Sequence, residues 1–155
     1  MKVAVITISD RASRGEYDDL SGPVIEKDLR ARFLDVEVTR AVVPDEPPAI
    51  LSALESFVGV DFILTTGGTG ISPRDVTPEV TMKFCDRELP GIAEALRAAS
   101  LAETPAAMLS RGYAGLRAST IVVNFPGSVK AVRLYMTVIG PVMEHALRML
   151  RGEGH

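Results

Sequence analysis

The chain has 155 residues, of which 46% are hydrophobic and 24% are charged, and its formal net charge is -3. These values are typical of a globular domain and exclude a disordered or fibrous chain. The length predicts one domain, residues 1–155, that buries about two thirds of the surface its unfolded form exposes. The negative net charge, the scattered Lys and Arg residues and the lack of Trp argue against a nucleic-acid partner.

The N-terminal segment predicts a short strand, Val3 to Ile8, because it is a β-branched apolar run. This run is too short for the apolar core of a secretory signal, and no apolar stretch approaches the roughly 18 residues of a membrane span. The sole cysteine, Cys85, cannot form an internal disulfide, which fits a reducing compartment. We therefore expect a cytoplasmic protein without a membrane partner.

The first half of the chain alternates strands with amphipathic helices. Ile25, Leu29 and Phe33 form one apolar stripe, which predicts a helix. A second helix is predicted from the Pro47-Pro48 start to the stop at Gly59. The elements after the first strand are then a helix at Pro23–Phe33, a strand at Val36–Val43, a helix ending at Gly59 and a strand at Asp61–Thr65. This alternation implies parallel strands joined by right-handed crossovers.

The second half is more helical. The predicted elements are helices at Pro78–Phe84 and Gly91–Ala102, a strand at Thr120–Phe125, and helices at Ser128–Ile139 and Pro141–Arg151, with a break at Gly140-Pro141. Apolar residues leave little polar face on the Ser128–Ile139 helix, which favours a place between layers or against another subunit, and hence an oligomer. The predicted fold class is α/β, a three-layer α/β/α arrangement with a mostly parallel central sheet.

The chemistry is expected at one edge of this sheet. In open parallel sheets, ligands bind beyond the carboxyl ends of the strands, where loops and helix N-termini converge. All four predicted strands end in polar, acidic or glycine-bearing loops. These loops are Ser9–Gly15, Pro44–Glu46, Thr66–Glu79 and Pro126–Ser128.

The loop after the third strand is the most informative. In Gly67-Gly68-Thr69-Gly70, three glycines in four positions let the backbone adopt positive φ and bring amide groups close to an anion such as phosphate. Thr77 is predicted to cap a helix that has Pro78 at its first position, and the dipole of that helix also favours anions. The loop matches neither the P-loop nor the dinucleotide pattern. The alternative is a long connection that only turns the chain.

Asp45 and Asp75 follow different strands and are expected to project toward the same crevice. Two carboxylates beside a phosphate-binding turn repel each other and the phosphate unless a divalent cation joins them, so the sequence predicts a Mg²⁺ site. Taken singly, each aspartate is equally well explained as a cap or turn residue.

Two further segments, Leu109–Gly112 and Asn124–Lys130, add hydroxyl and guanidinium groups and a second glycine-opened helix start. Ser128 is predicted to cap that helix and leave amides free for an anion or a polar ring, although an ordinary cap beside a surface arginine is the alternative. His145 is expected to be solvated and Cys85 to be buried and inert. Because the other histidine is His155, no catalytic triad or histidine metal set can be proposed.

Taken in order, these residues resemble the molybdopterin adenylyltransferases and their molybdopterin-binding relatives. The similarity covers nearly the whole chain. Its landmarks are the Ser9–Ser13 loop with Asp19–Pro23 behind it, the Pro44–Glu46 corner, the Thr65–Glu79 loop, Leu109-Ser110-Arg111 and Asn124–Ser128. One departure is Val129, where many relatives carry proline.

The resemblance implies a molybdopterin-binding-domain-like fold and transfer of AMP from MgATP to the terminal phosphate of molybdopterin, with release of pyrophosphate. It assigns Mg²⁺ to Asp45 and Asp75. The nucleotide and its phosphates are assigned to Ser9, Asp10, Gly67, Gly68, Thr69, Gly70 and Arg74, and molybdopterin to Ser110, Arg111, Gly127 and Ser128.

The resemblance also suggests a homotrimer, or a hexamer built from trimers, and a transient contact with the protein that inserts molybdenum. Two alternatives remain open from the residues. One is a non-catalytic carrier that binds molybdopterin without transferring AMP. The other is a regulatory or scaffolding protein that uses the same fold for protein contacts.

Overall fold

The computed structural model describes residues 1–153 and has a six-stranded mixed sheet at its centre. The sheet order is β2-β1-β3-β6-β5-β4, with the first four strands parallel and the last two antiparallel. The strands are β1 (Lys2–Ile8), β2 (Glu37–Val43), β3 (Phe62–Thr66), β4 (Arg87–Glu88), β5 (Ala114–Arg117) and β6 (Thr120–Phe125).

Helices cover both faces of the sheet. They are α1 (Asp10–Ser13), α2 (Ser21–Arg32), α3 (Pro47–Ser56), α4 (Thr77–Phe84), α5 (Pro90–Glu103) and α6 (Val129–Leu150), and a 3₁₀ turn lies at Pro105–Leu109. Within residues 1–153, none of these helices is both long enough and apolar enough to cross a membrane. The four predicted strands and the helices corresponding to α2, α3, α4 and α5 are confirmed, with boundaries shifted by a few residues.

Alternation along β1 produces two separate cores. Val3 and Val5 face the cluster under α2, α5 and α6, whereas Ala4 and Ile6 face the cluster under α3 and α4. Because successive side chains of a strand point to opposite faces, one central strand supplies apolar contacts to both layers. The predicted three-layer α/β/α arrangement is confirmed.

The β4 and β5 strands were not predicted. β4 has two residues and β5 has four, one of which is Gly115, so neither carries a period-two apolar pattern. Main-chain pairing defines them instead: the Asp86 amide donates to the Leu116 carbonyl at 2.7 Å, and the Leu89 amide donates to the Ala114 carbonyl at 2.8 Å.

The break predicted at Gly140-Pro141 is wrong, because α6 continues through Pro141. Proline lacks an amide and costs a helix interior about 3 kcal/mol. Beyond Pro141, Met143 and Leu147 are buried in the same core as Met136, and each such side chain contributes roughly 1.5–3 kcal/mol on burial. Burial on both sides of the proline therefore outweighs the missing hydrogen bond.

The role predicted for Thr77 is also wrong. The residue before α4 is Val76, and Thr77 is the first residue of the helix. Its buried hydroxyl donates to the Gly67 carbonyl at 3.0 Å. The side chain therefore fastens the glycine-rich turn to the helix and does not cap the helix amides.

The β5–β6 turn supplies a stability test. Ala118 is the first of two turn residues between β5 and β6 and has φ 52°, a conformation that favours glycine. Ala118→Gly should therefore raise the free energy of unfolding by about 0.5–1 kcal/mol, measured by denaturant titration. The same exchange at Ala98, an exposed residue inside α5, should lower it by about 1 kcal/mol. A loss of stability at Ala118 would contradict the strain assigned to this turn.

Candidate functional site

The loops after β1 and β2 are joined by a reciprocal pair of hydrogen bonds. The Asp10 amide donates to Asp45 Oδ2 at 2.8 Å, and the Asp45 amide donates to Asp10 Oδ1 at 3.0 Å. From the third loop, the Arg74 guanidinium donates to both carboxylate oxygens of Asp10, at 2.9 and 2.8 Å. Three predicted site residues from three separate loops therefore meet at the carboxyl edge of the sheet.

These contacts act differently on the two acids. The hydrogen bonds from Arg74 lower the pKa of Asp10. Burial raises the pKa of Asp45, and the negative charges of Asp10 and Asp75 raise it further, against the lowering effect of the Asp10 amide. Asp45 and Asp75 are thus close enough for their charges to interact, as the sequence predicted.

The glycine-rich turn follows β3 directly and depends on glycine at its first two positions. Gly67 and Gly68 have φ of 101° and 64°. A side chain at Gly67 would collide with the Ile8 carbonyl oxygen, and one at Gly68 would collide with the Thr77 hydroxyl. Neither the backbone conformation nor the space at these two positions suits another residue.

The two acids flank this turn. A Cβ atom placed on Gly68 would lie 3.1 Å from Asp45 Oδ1, and one placed on Gly70 would lie 2.9 Å from Asp75 Oδ2. Asp75 Oδ2 also accepts a hydrogen bond from the Ser72 amide at 2.9 Å. The structure therefore brings the two predicted metal ligands to the same turn of backbone.

Four successive amides of the turn are unused by the protein. Within residues 1–153, the amides of Gly68, Thr69, Gly70 and Ile71 donate to no protein acceptor. The same residues line a cavity, so these amides are available to a ligand. Consecutive free amides form a concave donor surface suited to an anion, and phosphate binding by this turn stays a prediction.

Two cavities open on this edge of the sheet and share Gly67, Gly127 and Ser128. The first, here called the Ser110 cavity, has a volume of about 580 Å³. The second, the Ser9 cavity, has a volume of about 240 Å³. Besides the shared residues, the Ser110 cavity is lined by Gly70, Asp75, Ala107, Leu109, Ser110 and Tyr135. The Ser9 cavity is lined by Ser9, Ala12, Tyr17, Asp19, Ser21 and Thr66.

Two predicted site residues, Ser9 and Ser128, act as helix caps. Ser128 Oγ accepts from the Ala131 amide at 3.2 Å, which confirms the predicted cap of α6, and Ser9 Oγ accepts from the Ala12 amide at 3.2 Å. Each serine also lines a cavity. These residues therefore fix the local backbone at the point where a ligand would be held.

Arg111 is placed differently from the other predicted pterin ligands. Its guanidinium donates to the Gly70 carbonyl at 2.7 Å and to the Asp75 carbonyl at 2.6 Å, and it pairs with Glu79. Partial burial acts to raise the pKa of Glu79, but the hydrogen bond from Arg111, a backbone hydrogen bond and the positive charges of Arg111 and Lys83 together lower that pKa. The guanidinium contacts the glycine-rich loop, and binding of molybdopterin by Arg111 stays a prediction.

Asn124 has a structural role that the sequence did not reveal. Its amide nitrogen donates to the hydroxyls of Thr65 and Thr81 at 2.9 and 3.0 Å, and its oxygen accepts from the Tyr113 amide at 3.2 Å. The buried side chain thereby joins β3, α4 and the start of β5 beneath the site. An asparagine within the otherwise apolar run Ile121–Phe125 was the available signal, because a buried amide must find partners.

The remaining candidates lie outside this chemistry. His145 is exposed on α6, as predicted, and His155 lies outside the described residues. Cys85 follows α4 and is partly buried, and burial raises its pKa to about 11, which suits an inert thiol. Among residues 1–153, no group of three or more His, Cys, Asp or Glu side chains is arranged to hold a metal ion.

Comparisons with known proteins agree with the resemblance. A family model described as the probable molybdopterin binding domain matches residues 4–145. The chain is 38% identical over 154 residues to the molybdopterin adenylyltransferase of Helicobacter pylori strain J99, covering 97% of this chain and 88% of that protein. A solved structure of the molybdopterin biosynthesis enzyme MoaB from Thermus thermophilus superposes with a TM-score of 0.88 at 44% identity, covering 97% of this chain and 96% of that one. A structure of MogA gives 0.92 at 39% identity, covering 97% and 99%.

The close approach at Gly67 provides a test of the turn. Gly67→Ala should lower the free energy of unfolding by at least about 2 kcal/mol, because it combines a left-handed φ with a clash against the Ile8 carbonyl. Gly127→Ala is the matched control: its Cβ would meet Gly67 Cα at an ordinary 3.5 Å, so stability should change by less than about 0.5 kcal/mol. Equal effects in thermal or denaturant unfolding would contradict the constraint assigned to Gly67.

Proposed function

The chain belongs to the molybdopterin-binding-domain family, and from that premise we propose that it is a molybdopterin adenylyltransferase acting in molybdenum cofactor biosynthesis. The reaction is transfer of AMP from MgATP to the terminal phosphate of molybdopterin, with release of pyrophosphate. One observation carries the proposal: four unused amides and the Asp75 carboxylate border the larger of two cavities that share a wall, and the Asp45 carboxylate lies beside the same turn. A reaction between two phosphate-bearing molecules needs such a meeting point.

The two cavities suggest how the substrates are divided. Ser9 borders the smaller cavity, which we assign to the nucleoside with Asp10 beside it, whereas Ser110 borders the larger one, which we assign to the pterin. The phosphates of both substrates would then converge on the shared Gly127-Ser128 wall and on the Gly67–Gly70 turn.

The phosphate of molybdopterin needs little activation in this reaction. The second pKa of a phosphate monoester is near 6, so the attacking oxygen is already mostly deprotonated at neutral pH. That oxygen forms a bond to the α-phosphorus of ATP while the bond from this phosphorus to the bridging oxygen breaks, and pyrophosphate leaves. No general base is required, in keeping with a site whose described residues supply no histidine.

The main obstacle is repulsion between the two phosphate groups. Two unit charges about 4 Å apart repel by about 4 kcal/mol at an effective dielectric constant of 20, and the reactants contain several such pairs. Amides held in place before the substrates bind offset this repulsion without reorganising. The free amides from Gly68 to Ile71 supply such donors, and Arg74 lies close by with its charge balanced by Asp10.

The carboxylates of Asp45 and Asp75 fit a Mg²⁺ ion. Within residues 1–153, Oδ1 of each accepts no hydrogen bond, while Oδ2 is used by an amide. Mg²⁺ in phosphate-transfer sites is commonly held by one or two protein carboxylates, with water and substrate phosphates as its other ligands. When bound, the ion would neutralise phosphate charge and remove the mutual repulsion that raises the pKa of Asp45.

We extend the proposal to the assembly and compartment that the sequence suggested: a cytoplasmic homo-oligomer, a trimer or a hexamer of trimers, in transient contact with the protein that inserts molybdenum. Apolar side chains on the outer face of α6 support self-association, since Val142 and Met149 are 48% and 54% exposed.

Pyrophosphate release tests the reaction directly. The protein incubated with molybdopterin and MgATP should release pyrophosphate, and it should release none when either substrate is omitted. Asp75→Asn should reduce this rate by at least about 100-fold, because it removes a charge that holds the cation, while molybdopterin affinity changes by only a few fold. A coupled assay measures the rate of pyrophosphate release, and titration calorimetry measures the affinity for molybdopterin.

Asp35→Asn is the matched control, since Asp35 is an exposed acid before β2 at the opposite edge of the sheet. It should leave the rate unchanged. Molybdopterin binding without any pyrophosphate would instead support the non-catalytic carrier. Absence of affinity for both ATP and molybdopterin would support the regulatory or scaffolding alternative.

Filling each cavity tests the division of substrates. Ala107→Phe should weaken molybdopterin binding by about 10-fold or more and leave ATP affinity nearly unchanged, because Ala107 lines only the Ser110 cavity. Ala12→Phe, in the Ser9 cavity, should have the reverse effect. Calorimetry with each substrate alone measures both. If both variants weakened binding of the same substrate, the assignment of the cavities would be wrong.

A further inference from the structure

The Arg111 side chain contacts protein groups in three directions. Nε and Nη2 donate to the carbonyls of Gly70 and Asp75, and Nη1 pairs with the Glu79 carboxylate. In addition, the main-chain amide of Arg111 donates to the Thr69 carbonyl at 2.9 Å. The residue is therefore attached to the glycine-rich loop at three carbonyls and to the first turn of α4 through Glu79.

These contacts determine where the free amides point. In a trans peptide the carbonyl and the following amide point in opposite directions. When Arg111 holds the Thr69 and Gly70 carbonyls, the amides of Gly70 and Ile71 are turned away from it. Both amides are free of protein acceptors, and both residues line the Ser110 cavity.

A second arginine holds the segment that carries Arg111. From α5, Arg97 Nε donates to the Ser110 carbonyl at 3.1 Å, and Nη2 donates to the Gly112 carbonyl at 3.3 Å. These are the two chain neighbours of Arg111. Within residues 1–153 Arg97 forms no salt bridge, so its donors serve main-chain carbonyls, including that of Ala93 at 3.4 Å.

We propose that Arg97 and Arg111 act in series as a brace that orients the phosphate-binding amides and Asp75 for the reaction. Arg97 fixes the Ser110–Gly112 segment to α5, and Arg111 fixes the loop to that segment. In this arrangement both are positioning residues that act through the loop, as an alternative to the contact with molybdopterin predicted for Arg111 from the sequence. The kinetic part of this inference rests on the proposed function, whereas its structural part concerns the free protein alone.

A substitution that keeps the charge but changes the geometry distinguishes this role from direct contact between the guanidinium and the substrate. The planar guanidinium donates in several fixed directions, whereas a lysine ammonium is a single point of charge on a flexible stem. Arg111→Lys therefore keeps the positive charge and loses the divergent contacts to the carbonyls. Arg97→Lys makes the same change at the residue that holds the Ser110–Gly112 segment. Arg117→Lys is a matched control because Arg117 pairs with Asp86 on the antiparallel edge of the sheet.

Hydrogen exchange in the unliganded protein is the first measurement. Asp75 and Thr77 donate their amides within the loop, to the Ser72 and Gly68 carbonyls, so their exchange reports loop order. Arg111→Lys should speed this exchange by about 10-fold, the equivalent of one lost hydrogen bond. Arg97→Lys should speed it by a smaller factor and should also speed exchange of the Ser110 amide. Arg117→Lys should leave all of these unchanged.

Kinetics and pyrophosphate affinity form the second measurement. Arg111→Lys and Arg97→Lys should lower kcat more than they raise either KM, and both should weaken binding of inorganic pyrophosphate, with the unfolding temperature nearly unchanged.

Unchanged exchange with a raised KM for molybdopterin alone would overturn the proposal in favour of direct contact. An Arg97 variant without effect on Asp75 and Thr77 would overturn the serial arrangement. Failure of the wild-type protein to release pyrophosphate would refute the proposed function and leave the exchange test intact.

Discussion

The site depends on one close approach of backbone to backbone, where the glycine-rich turn crosses the end of β1. Gly67 lies against the Ile8 carbonyl and at the same time donates its amide to the Phe125 carbonyl at 3.1 Å. Three parallel strands thus meet at a residue without a side chain. The first residue of the turn is thus held on both sides by strand ends, and the four amides that follow it are left unused by the protein.

The surrounding charges balance one another around this turn. Asp10 is neutralised by Arg74, and Glu79 by Arg111, whereas Asp45 and Asp75 have no basic partner in a salt bridge within residues 1–153. The two uncompensated carboxylates lie beside the turn that carries the free amides. Carboxylates beside free amides are stable while water solvates both. Once phosphate displaces that water, its charge repels the carboxylates unless a cation arrives with the phosphate. The arrangement therefore suits a ligand that brings its own metal.

The sequence revealed the parts of the structure that have a periodic or compositional pattern. Strands β1, β2, β3 and β6 and the glycine-rich loop were predictable because β-branched runs and clustered glycines report backbone preference directly. The extent of α6 was not, since Met143 and Leu147 hold the helix together beyond Pro141 through contacts distant in sequence. The position of Arg111 was equally hidden. Its partners are main-chain carbonyls 36 and 41 residues away. Because a carbonyl is present at every residue, no pattern of side chains marks it.

The shared wall of the two cavities has a thermodynamic consequence for the proposed reaction. Under the proposed assignment of the cavities, an adenylylated pterin, which joins the pterin to AMP, would span the Gly127-Ser128 wall and occupy both cavities with a single loss of translational freedom. Each half then raises the effective concentration of the other. The residence time of the product should therefore exceed that of either substrate, and departure of the product, rather than formation of the new phosphoanhydride bond, would govern how fast the protein is freed for another cycle.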